Sequence, residues 1–424
     1  MAILFKCLVF TLVYLSVFTS CQTLSPAPSV ANYLRRIGLK TAVLGDWLYL
    51  DGGEVSQLVN GEPAGYSGHW LYKVNHTLSI PLRSSWTTES VTWKSNKKAA
   101  PVTLSGSLWS YQDTLVSWGG TGSYGEWPVR KSPWQFVVDG NGGGEWSIVD
   151  PSNRDVFIGI TRTSNAAAAT CNGRGLAVGG WAGPSTDPDF RDAAFGSTIP
   201  IPGLITYDMQ TKTWANESAV GLNQFGTSIL GSGVCLEEIG GAGVFFVIGG
   251  DVATHYSWRE DGSGLISLRE IHFWDVDKKR WHSQLTTGET PPPRDRHCLG
   301  SARGLNNTYE IYLYGGYNPV NKVSFDDVWI LSIPAFTWFR ADTRASTQRQ
   351  HHSCQVVGNQ MISVGGTPYF ENVTTPDEWS QGIGILNLTN LAWTNQYQAH
   401  TTYEGPQTVR EWYNEQYVPA FINT

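Results

Sequence analysis

Six segments of this chain share one pattern, an apolar run that ends in two consecutive glycines. A tryptophan follows each pair some two to three dozen residues later. Six repetitions in order constrain the fold far more than one would, because a single strand followed by two glycines is common. The pairs are Gly52-Gly53, Gly119-Gly120, Gly179-Gly180, Gly249-Gly250, Gly315-Gly316 and Gly365-Gly366, and the tryptophans are Trp86, Trp146, Trp214, Trp281, Trp338 and Trp393.

A repeat of roughly fifty to seventy residues with this content is typical of a β-propeller, in which each repeat forms one four-stranded blade. The apolar run indicates a strand buried on both faces between neighbouring blades. The glycine pair lets the backbone turn sharply and tolerates the close approach of the next blade. The tryptophan is large enough to fill the gap between blades. We therefore predict an all-β chain that forms a six-bladed propeller.

Further residues in the later units make the repeats resemble the kelch family. In the fifth unit Arg296-His297 leads into a strand, Tyr309–Gly316 supplies the second strand and Trp338 the fourth, and the fourth unit ends similarly at Trp281. The first two units lack the histidine at the head of the preceding strand. The resemblance covers about residues 35–400 and implies a six-bladed kelch-type β-propeller.

The first 21 residues are predicted to be a secretory signal peptide, because Lys6 precedes the apolar run Cys7–Phe18 and the small-residue exit Thr19-Ser20-Cys21. The run is short for a membrane-spanning helix, although an uncleaved anchor is the alternative. We expect residues 22–32 to be flexible and residues 33–424 to form a single propeller. The segment Glu404–Tyr417 is expected to help close the ring.

Glycosylation sequons support secretion into the secretory-pathway lumen or beyond it. No second hydrophobic segment follows the signal peptide, so we expect no membrane anchor. The five sequons begin at Asn75, Asn216, Asn306, Asn372 and Asn387, in predicted turns.

Four cysteines remain after the signal peptide, each upstream of a glycine pair: Cys171, Cys235, Cys298 and Cys354. In a secreted chain an even number suggests two disulfides, here between adjacent blades, but the pairing cannot be deduced from the sequence. Buried free thiols are the alternative. We expect no metal site, because no close Cys-x-x-Cys spacing occurs.

A net charge of −7 with scattered signs argues against nucleic acid and acidic membranes as partners. No nucleophile elbow, paired-carboxylate spacing or phosphate loop occurs, so a cofactor is not expected. The kelch copper oxidases need two tyrosines, two histidines and a further domain. We expect no such domain here, and the cysteines lie in strand-like segments.

The loops after the glycine pairs and the starts of the inner strands open on the same face of a propeller, and we predict the site there. Two of these loops, Trp181–Pro202 and Asp251–Leu268, are about twenty residues long, and such length more often serves function. A structural role for the arginines and histidines is the alternative. The candidate substrate-binding residues are Glu54, Trp181, Asp251, Trp258, Arg296 and Tyr317, and the candidate catalytic residues are His255, His297, His351 and His352.

The segment Leu48–Glu54, followed by Asn75–Trp86, is similar to the first blade of secreted kelch proteins of filamentous fungi. Without a membrane helix after the propeller, the chain resembles a subset found with natural-product pathways. That resemblance implies a cofactor-free hetero-Diels–Alderase, which joins a tropolone quinone methide to a humulene-type sesquiterpene. A histidine would protonate the leaving hydroxyl, and an aromatic cup would hold both apolar partners at reacting distance.

Two other functions fit the same features. An aromatic cup can stack on a sugar face, so a lectin-like binding module without catalysis is the first alternative. A structural or adhesive wall protein, whose long loops are spacers, is the second.

Overall fold

A computed structural model describes residues 24–64, 71–123, 126–128, 130–194, 197–252, 264–304, 307–345 and 347–416. The predicted signal peptide lies outside these residues, as do His255, Trp258 and Asn306. Strands dominate the described part of the chain, which contains two short α-helices, so the prediction of an all-β fold is confirmed. None of its helices has the length and apolar character needed to cross a membrane.

The elements are numbered in chain order. The first repeat contains β1 (Tyr33–Ile37), β2 (Lys40–Leu44), β3 (Trp47–Asp51), β4 (Glu54–Val59), β5 (Glu62–Pro63), β6 (Tyr72–Lys73), β7 (His76–Pro81), β8 (Trp86–Thr87) and β9 (Lys94–Lys97). The second contains β10 (Thr103–Leu104), β11 (Ser107–Tyr111), β12 (Thr114–Trp118), β13 (Thr121–Gly122), β14 (Trp134–Val138) and β15 (Gly144–Ile148). The third contains α1 (Arg154–Ile158), β16 (Ala167–Cys171), β17 (Arg174–Val178), β18 (Trp181–Ala182), β19 (Ile199–Pro200), β20 (Leu204–Asp208) and β21 (Thr213–Glu217).

The later repeats continue this order. The fourth contains β22 (Ser232–Leu236), β23 (Val244–Ile248), β24 (Glu270–Asp275) and β25 (Arg280–Leu285). The fifth contains β26 (Thr287–Gly288), β27 (Cys298–Arg303), β28 (Tyr309–Tyr314), β29 (Tyr317–Asn318), β30 (Val323–Ser324), β31 (Asp327–Ile333) and β32 (Thr337–Arg344). The last contains β33 (Gln350–Val357), β34 (Gln360–Thr367), β35 (Ile383–Asn387), β36 (Ala392–Thr394), β37 (Gln396–Tyr397) and α2 (Gln407–Gln416).

Five repeats form separate blade sheets, whereas the sixth does not. The separate sheets have the strand orders β2-β3-β7-β9, β11-β12-β14-β15, β16-β17-β20-β21, β22-β23-β24-β25 and β27-β28-β31-β32, the last with β26 added at its outer edge. Strands β33 to β36 instead belong to an eight-stranded sheet with β1, β4, β5 and β6. The propeller is confirmed but has five separate blades and not the six predicted, because β1 pairs with β34 and merges the last repeat with the N-terminal strands.

The six inner strands, β2, β11, β16, β22, β27 and β33, contact one another in a closed circle around a central channel. Two pairings between the ends of the chain complete this circle. Arg36 in β1 lies opposite Gly366, and Gln396 in β37 lies opposite Thr87 in β8. Ring closure removes the exposed strand edges that an open sheet would present.

The C-terminal segment packs as a helix and does not pair as a strand. In α2, Val409 is buried in the core between the fifth and last repeats, and the Tyr413 hydroxyl lies 2.9 Å from Ser332 Oγ. Just before the helix, Tyr403 donates a hydrogen bond to a buried carboxylate, Glu310 (2.9 Å). The segment predicted to close the ring therefore braces two repeats from outside, while the closing pairings lie elsewhere.

The glycine pairs have the role that the sequence predicts. Both glycines of every pair have positive φ, which side-chain-bearing residues rarely adopt. The backbone of the next repeat also approaches closely, since a Cβ on Gly119 would lie 2.3 Å from Thr163 O and one on Gly249 would lie 2.7 Å from Arg294 O. Only glycine fits both the conformation and the space at these positions.

Most of the six tryptophans fill the gaps between blades. Trp214 stacks on Tyr207 of its own sheet and lies 4.6 Å from the ring of Trp118 in the preceding sheet. Trp86 is the exception, because it lies in β8 and stacks on Tyr397 at the junction of the chain ends. The fourth strand of the first sheet is β9, about ten residues after Trp86.

Two disulfides join neighbouring inner strands. Cys171 in β16 bonds to Cys235 in β22, and Cys298 in β27 bonds to Cys354 in β33. The prediction of two disulfides between adjacent repeats is confirmed, and the pairing that the sequence left open is resolved. Such cross-links are compatible with an oxidising, extracellular environment.

Candidate functional site

A closed ring of backbone hydrogen bonds surrounds one end of the central channel. We call its six members the mouth ring. Each has positive φ, five lie just before an inner strand, and His351 is the second residue of β33. Each N–H donates to the carbonyl of the preceding repeat's member, so the repeats are linked without a break. The bonds run from Gly38 to His351 (3.2 Å), Ser105 to Gly38 (2.7 Å), Asn165 to Ser105 (2.9 Å), Leu230 to Asn165 (2.9 Å), Arg296 to Leu230 (2.8 Å) and His351 to Arg296 (3.1 Å).

A second circle of residues surrounds the mouth ring. Each residue that follows a glycine pair lies opposite the residue that precedes a ring member. The six pairs are Glu54 with Ile37, Thr121 with Leu104, Trp181 with Ser164, Asp251 with Ile229, Tyr317 with Asp295 and Thr367 with Gln350. Four predicted binding residues, Glu54, Trp181, Asp251 and Tyr317, thus share one face with Arg296 and His351. We call this the ring face.

One side of the ring face carries a continuous cluster that we call the aromatic patch: Arg296, Tyr317, Tyr369, Phe370 and His351. The Arg296 guanidinium lies 5.4 Å from the Tyr317 ring, and the Tyr317 and Tyr369 rings are 6.4 Å apart. The His351 ring lies 4.9 Å from that of Phe370. Phe370 is half exposed, so an aromatic surface faces solvent beside a cation.

The charge of Arg296 is balanced by its neighbour in the chain. One guanidinium nitrogen, Nη1, donates to both carboxylate oxygens of Asp295, at 2.8 Å each. This pair fixes the guanidinium above Tyr317, and because the Arg296 side chain is only 7% exposed, it supports the patch from beneath.

Three other predicted binding residues, Glu54, Asp251 and Trp181, are more buried than Phe370. Glu54 is buried and accepts a hydrogen bond from Ser123 Oγ (2.6 Å), and Asp251 is also buried. Trp181 packs on Ile229 and Leu230. These contacts give Glu54 and Asp251 roles in the framework of the ring face, and they leave Trp181 partly exposed on it.

The described residues of the long loop that follows Trp181, 181–194 and 197–202, include a short hairpin. Strands β18 and β19 pair at its base, and a 3₁₀ turn, Pro188–Phe190, lies at its tip. The Asp187 carboxylate is fully buried and accepts a hydrogen bond from the Arg162 backbone N–H (2.6 Å). The loop therefore stands as a fixed wall of the ring face.

His297 and His352 lie beneath the mouth ring and pack against glycine pairs of neighbouring repeats. A Cβ on Gly249 would meet His297 Cε1 at 2.7 Å, and one on Gly315 would meet His352 Cε1 at 2.9 Å. Burial, reinforced by the nearby Arg294 charge, lowers the pKa of His297 to about 3. Burial and Arg349 lower the pKa of His352 well below its usual value. Both imidazoles are therefore neutral near pH 7 and poorly placed to donate a proton.

His351 is a member of the mouth ring and is also shielded from solvent. Burial lowers its pKa well below the usual value, and the charges of Arg296 and Lys40 act in the same direction. The His351 ring contributes to the aromatic patch by packing against the ring of Phe370. The fourth candidate, His255, and the binding candidate Trp258 lie outside the described residues.

Three arginines at the heads of inner strands have structural partners. Arg294 binds Asp327 (2.6 Å) and the Gly315 carbonyl (3.0 Å). Arg349 likewise binds Asp377 (2.7 Å) and the Gly365 carbonyl (2.6 Å), and Arg162 binds the Gly119 carbonyl (3.1 Å). The arginines thus clamp the glycine pairs, which is the structural role that the sequence left open for them.

The group Cys298, His352 and Cys354 has its ligand-type atoms within 4.8 Å of one another. Both cysteines are joined in a disulfide, so neither offers a thiolate to a metal. Their arrangement is explained by the cross-link between β27 and β33.

The predicted glycosylation sites differ in exposure. Asn75 and Asn216 are exposed, whereas Asn372 and Asn387 are partly buried. The Asn387 side chain also accepts hydrogen bonds from the backbone N–H groups of Thr389 (3.0 Å) and Asn390 (3.1 Å). Asn216 and Asn387 lie in strands and not in turns.

The sequence reasoning missed Tyr369 and Phe370. Both residues follow Thr367, the residue after the sixth glycine pair. Our search for aromatic residues covered only the two longest loops after the glycine pairs, and a search of the loop between β34 and β35 would have found them. It also missed Lys40, the first residue of β2, which is charged where the equivalent inner-strand positions carry small residues.

Comparisons with known proteins agree with the propeller geometry. The family model for the KLHDC2/KLHL20/DRC7 kelch-repeats domain matches residues 233–412. A kelch repeat-containing protein of Arthroderma benhamiae is 24% identical over 409 residues, which cover 88% of this chain and 58% of that protein. Host cell factor of Drosophila melanogaster is 30% identical over 140 residues, covering 31% and 9% of the two chains. The chain thus spans little more than half of the fungal relative and a small part of the insect one.

Proposed function

The chain is a kelch-repeat β-propeller, and we propose that it uses the ring face to bind an apolar or aromatic small molecule. The observation that carries this proposal is the aromatic patch, in which an exposed phenylalanine and two tyrosines adjoin a fixed guanidinium. Flat conjugated ligands stack favourably on such a combination of aromatic rings and a planar cation. The hairpin after Trp181 supplies a second wall.

The reaction we propose is the cofactor-free hetero-Diels–Alder addition of a tropolone quinone methide to a humulene-type sesquiterpene. The support is the resemblance of the first blade to secreted fungal kelch proteins. A cycloaddition gains chiefly from holding two partners at reacting distance in one orientation, which fixed aromatic walls can do. His297 and His352 are buried and neutral, so we assign the acceleration to orientation by the aromatic patch and not to proton transfer by these two histidines.

We further propose that the protein acts in the secretory pathway or outside the cell. The two disulfides between inner strands are compatible with this location. The signal peptide and glycosylation at the exposed residues Asn75 and Asn216 are parts of the same proposal.

The test is an assay of purified, metal-stripped protein with a hydroxymethyl tropolone and a hydroxylated humulene. We expect the adduct to form faster and more selectively than in buffer. Phe370→Ala should lower the rate or the stereoselectivity by about tenfold or more, because it removes an exposed stacking surface. Leu285→Ala is the matched control, since Leu285 is also an exposed large apolar residue but lies in β25, the outermost strand of the fourth sheet.

An adduct that forms no faster and no more selectively than in buffer would refute the proposed reaction. A carbohydrate-binding module is the second candidate, because the aromatic patch with its adjoining polar groups could also stack on a sugar face. A glycan-binding screen of the same variants would then show whether sugar binding depends on Phe370.

A further inference from the structure

A polar channel lies beneath the mouth ring, on the opposite side from the aromatic patch. Its cavity measures about 290 Å³ and is enclosed by all six inner strands. Since a water molecule takes about 30 Å³ of liquid volume, the cavity can hold a small ligand together with water. No aspartate or glutamate is among the described residues that line it. Hydroxyl-bearing residues are frequent in the lining: Thr41, Ser107, Ser110, Thr170, Ser232, Ser301 and Ser353.

Lys40 supplies the one full charge among the described residues of this lining. Its ammonium group is partly buried and makes no ion pair or hydrogen bond with a described residue, and burial lowers its pKa. Lys98, a buried lysine in the same repeat, does have a counter-charge, since its ammonium group lies 2.5 Å from the Asp51 carboxylate. A shielded cation normally requires a counter-charge, and no described residue provides one for Lys40.

Hydroxyl donors line the channel wall together with Lys40, whereas the charge of Arg296 at the mouth ring is already paired with Asp295. Two wall hydroxyls, those of Ser110 and Ser301, make no hydrogen bond with described residues and can donate into the channel. Hydroxyl donors on several strands and one ammonium group line the same cavity, and such a set suits an anion whose oxygens point to several sides.

We propose that the central channel binds a small tetrahedral oxyanion, such as phosphate or sulfate, with Lys40 as its charged ligand and wall hydroxyls as additional donors. The mouth ring marks the boundary between this site and the ring face, and Lys40 shares a small pocket at that boundary with Arg296 and His351. Binding of the anion would supply the counter-charge that Lys40 lacks. It would also tie together strands from different repeats, and so stabilise the closed propeller.

The test titrates the purified full chain with inorganic phosphate at constant ionic strength, using isothermal calorimetry and thermal unfolding. We expect saturable binding and a rise in melting temperature for the native chain. Lys40→Met should weaken phosphate binding at least about tenfold, as loss of a charge-assisted hydrogen bond does. Lys40→Arg should retain most of the binding, and Lys97→Met, at an exposed position in β9, should leave it unchanged.

The proposal fails if the native chain shows no saturable binding of phosphate or sulfate. It also fails if Lys40→Met binds phosphate as tightly as the native chain or as Lys97→Met. If Lys40→Met does not fold, the titration of the native chain and of Lys40→Arg still decides the question. Phe370→Ala should bind phosphate normally, so the result is independent of the proposed reaction on the ring face.

Discussion

At the scale of single residues, glycine is required where two repeats come into backbone contact. Gly119 has φ +70°, and the Thr163 carbonyl lies where its Cβ would be. The sequence predicts this role, because a pair of glycines ends each apolar run. The histidines show the limit of such reasoning: a histidine at the head of an inner strand has the same sequence signal whether it faces a ligand or, like His297, packs under a glycine.

Two glycine-to-alanine variants can distinguish the steric effect of the neighbouring repeat from the strain of a positive φ. Gly45 also has positive φ, but a Cβ there would have nothing within 4 Å. Gly45→Ala should therefore lower the free energy of unfolding only by the cost of placing alanine in the left-handed conformation, about 1–2 kcal/mol. Gly119→Ala adds a clash with the Thr163 carbonyl and should cost roughly 3–5 kcal/mol. Urea unfolding of both variants measures the difference, and equal costs would show that the neighbouring repeat does not constrain Gly119.

Buried His297 should make stability depend on pH. Its pKa of about 3 in the folded chain lies below the ordinary value of 6.5, so the unfolded chain binds more protons between these values. The free energy of unfolding should therefore be fully present above pH 6.5 and fall as the pH drops towards 3, by up to about 1.4 kcal/mol per pH unit from this residue.

Chemical unfolding at several pH values tests this expectation. His297→Gln should flatten the profile between pH 6.5 and 3, whereas His400→Gln, at an exposed position, should leave it unchanged. An unaltered slope in His297→Gln would contradict the burial argument.

At the scale of elements, the sequence predicts strands well where the repeat is regular and poorly at the chain ends. The second strands and glycine pairs lie where the apolar runs place them. The repeat predicts that Trp86 fills a gap between blades, yet it pairs with Tyr397 from the far end of the chain. Helix α2 was likewise unexpected, because its stability depends on packing of Val409 and Tyr413 against distant repeats. Such non-local contacts leave no periodic signal in a single sequence.

At the scale of the whole molecule, the six repeats form a closed circle although only five are separate sheets. Each repeat contributes one residue to the mouth ring and one, directly after its glycine pair, to the circle that surrounds the ring. These positions recur in the sequence, so the sequence could place the candidate site on one face. It could not distinguish buried members such as Glu54 from partly exposed ones such as Tyr317, because that depends on which neighbour covers each side chain. The circle thus offers two surfaces, the aromatic ring face outside the mouth ring and the cationic channel beneath it.

The most direct test of this account is to locate the bound ligand. A crystal of the protein soaked with the hydroxymethyl tropolone should show the compound stacked on the aromatic patch, in contact with Phe370 and Tyr317. Density for the compound at another place, with the aromatic patch empty at a saturating concentration, would contradict the assignment of the ring face as the functional surface.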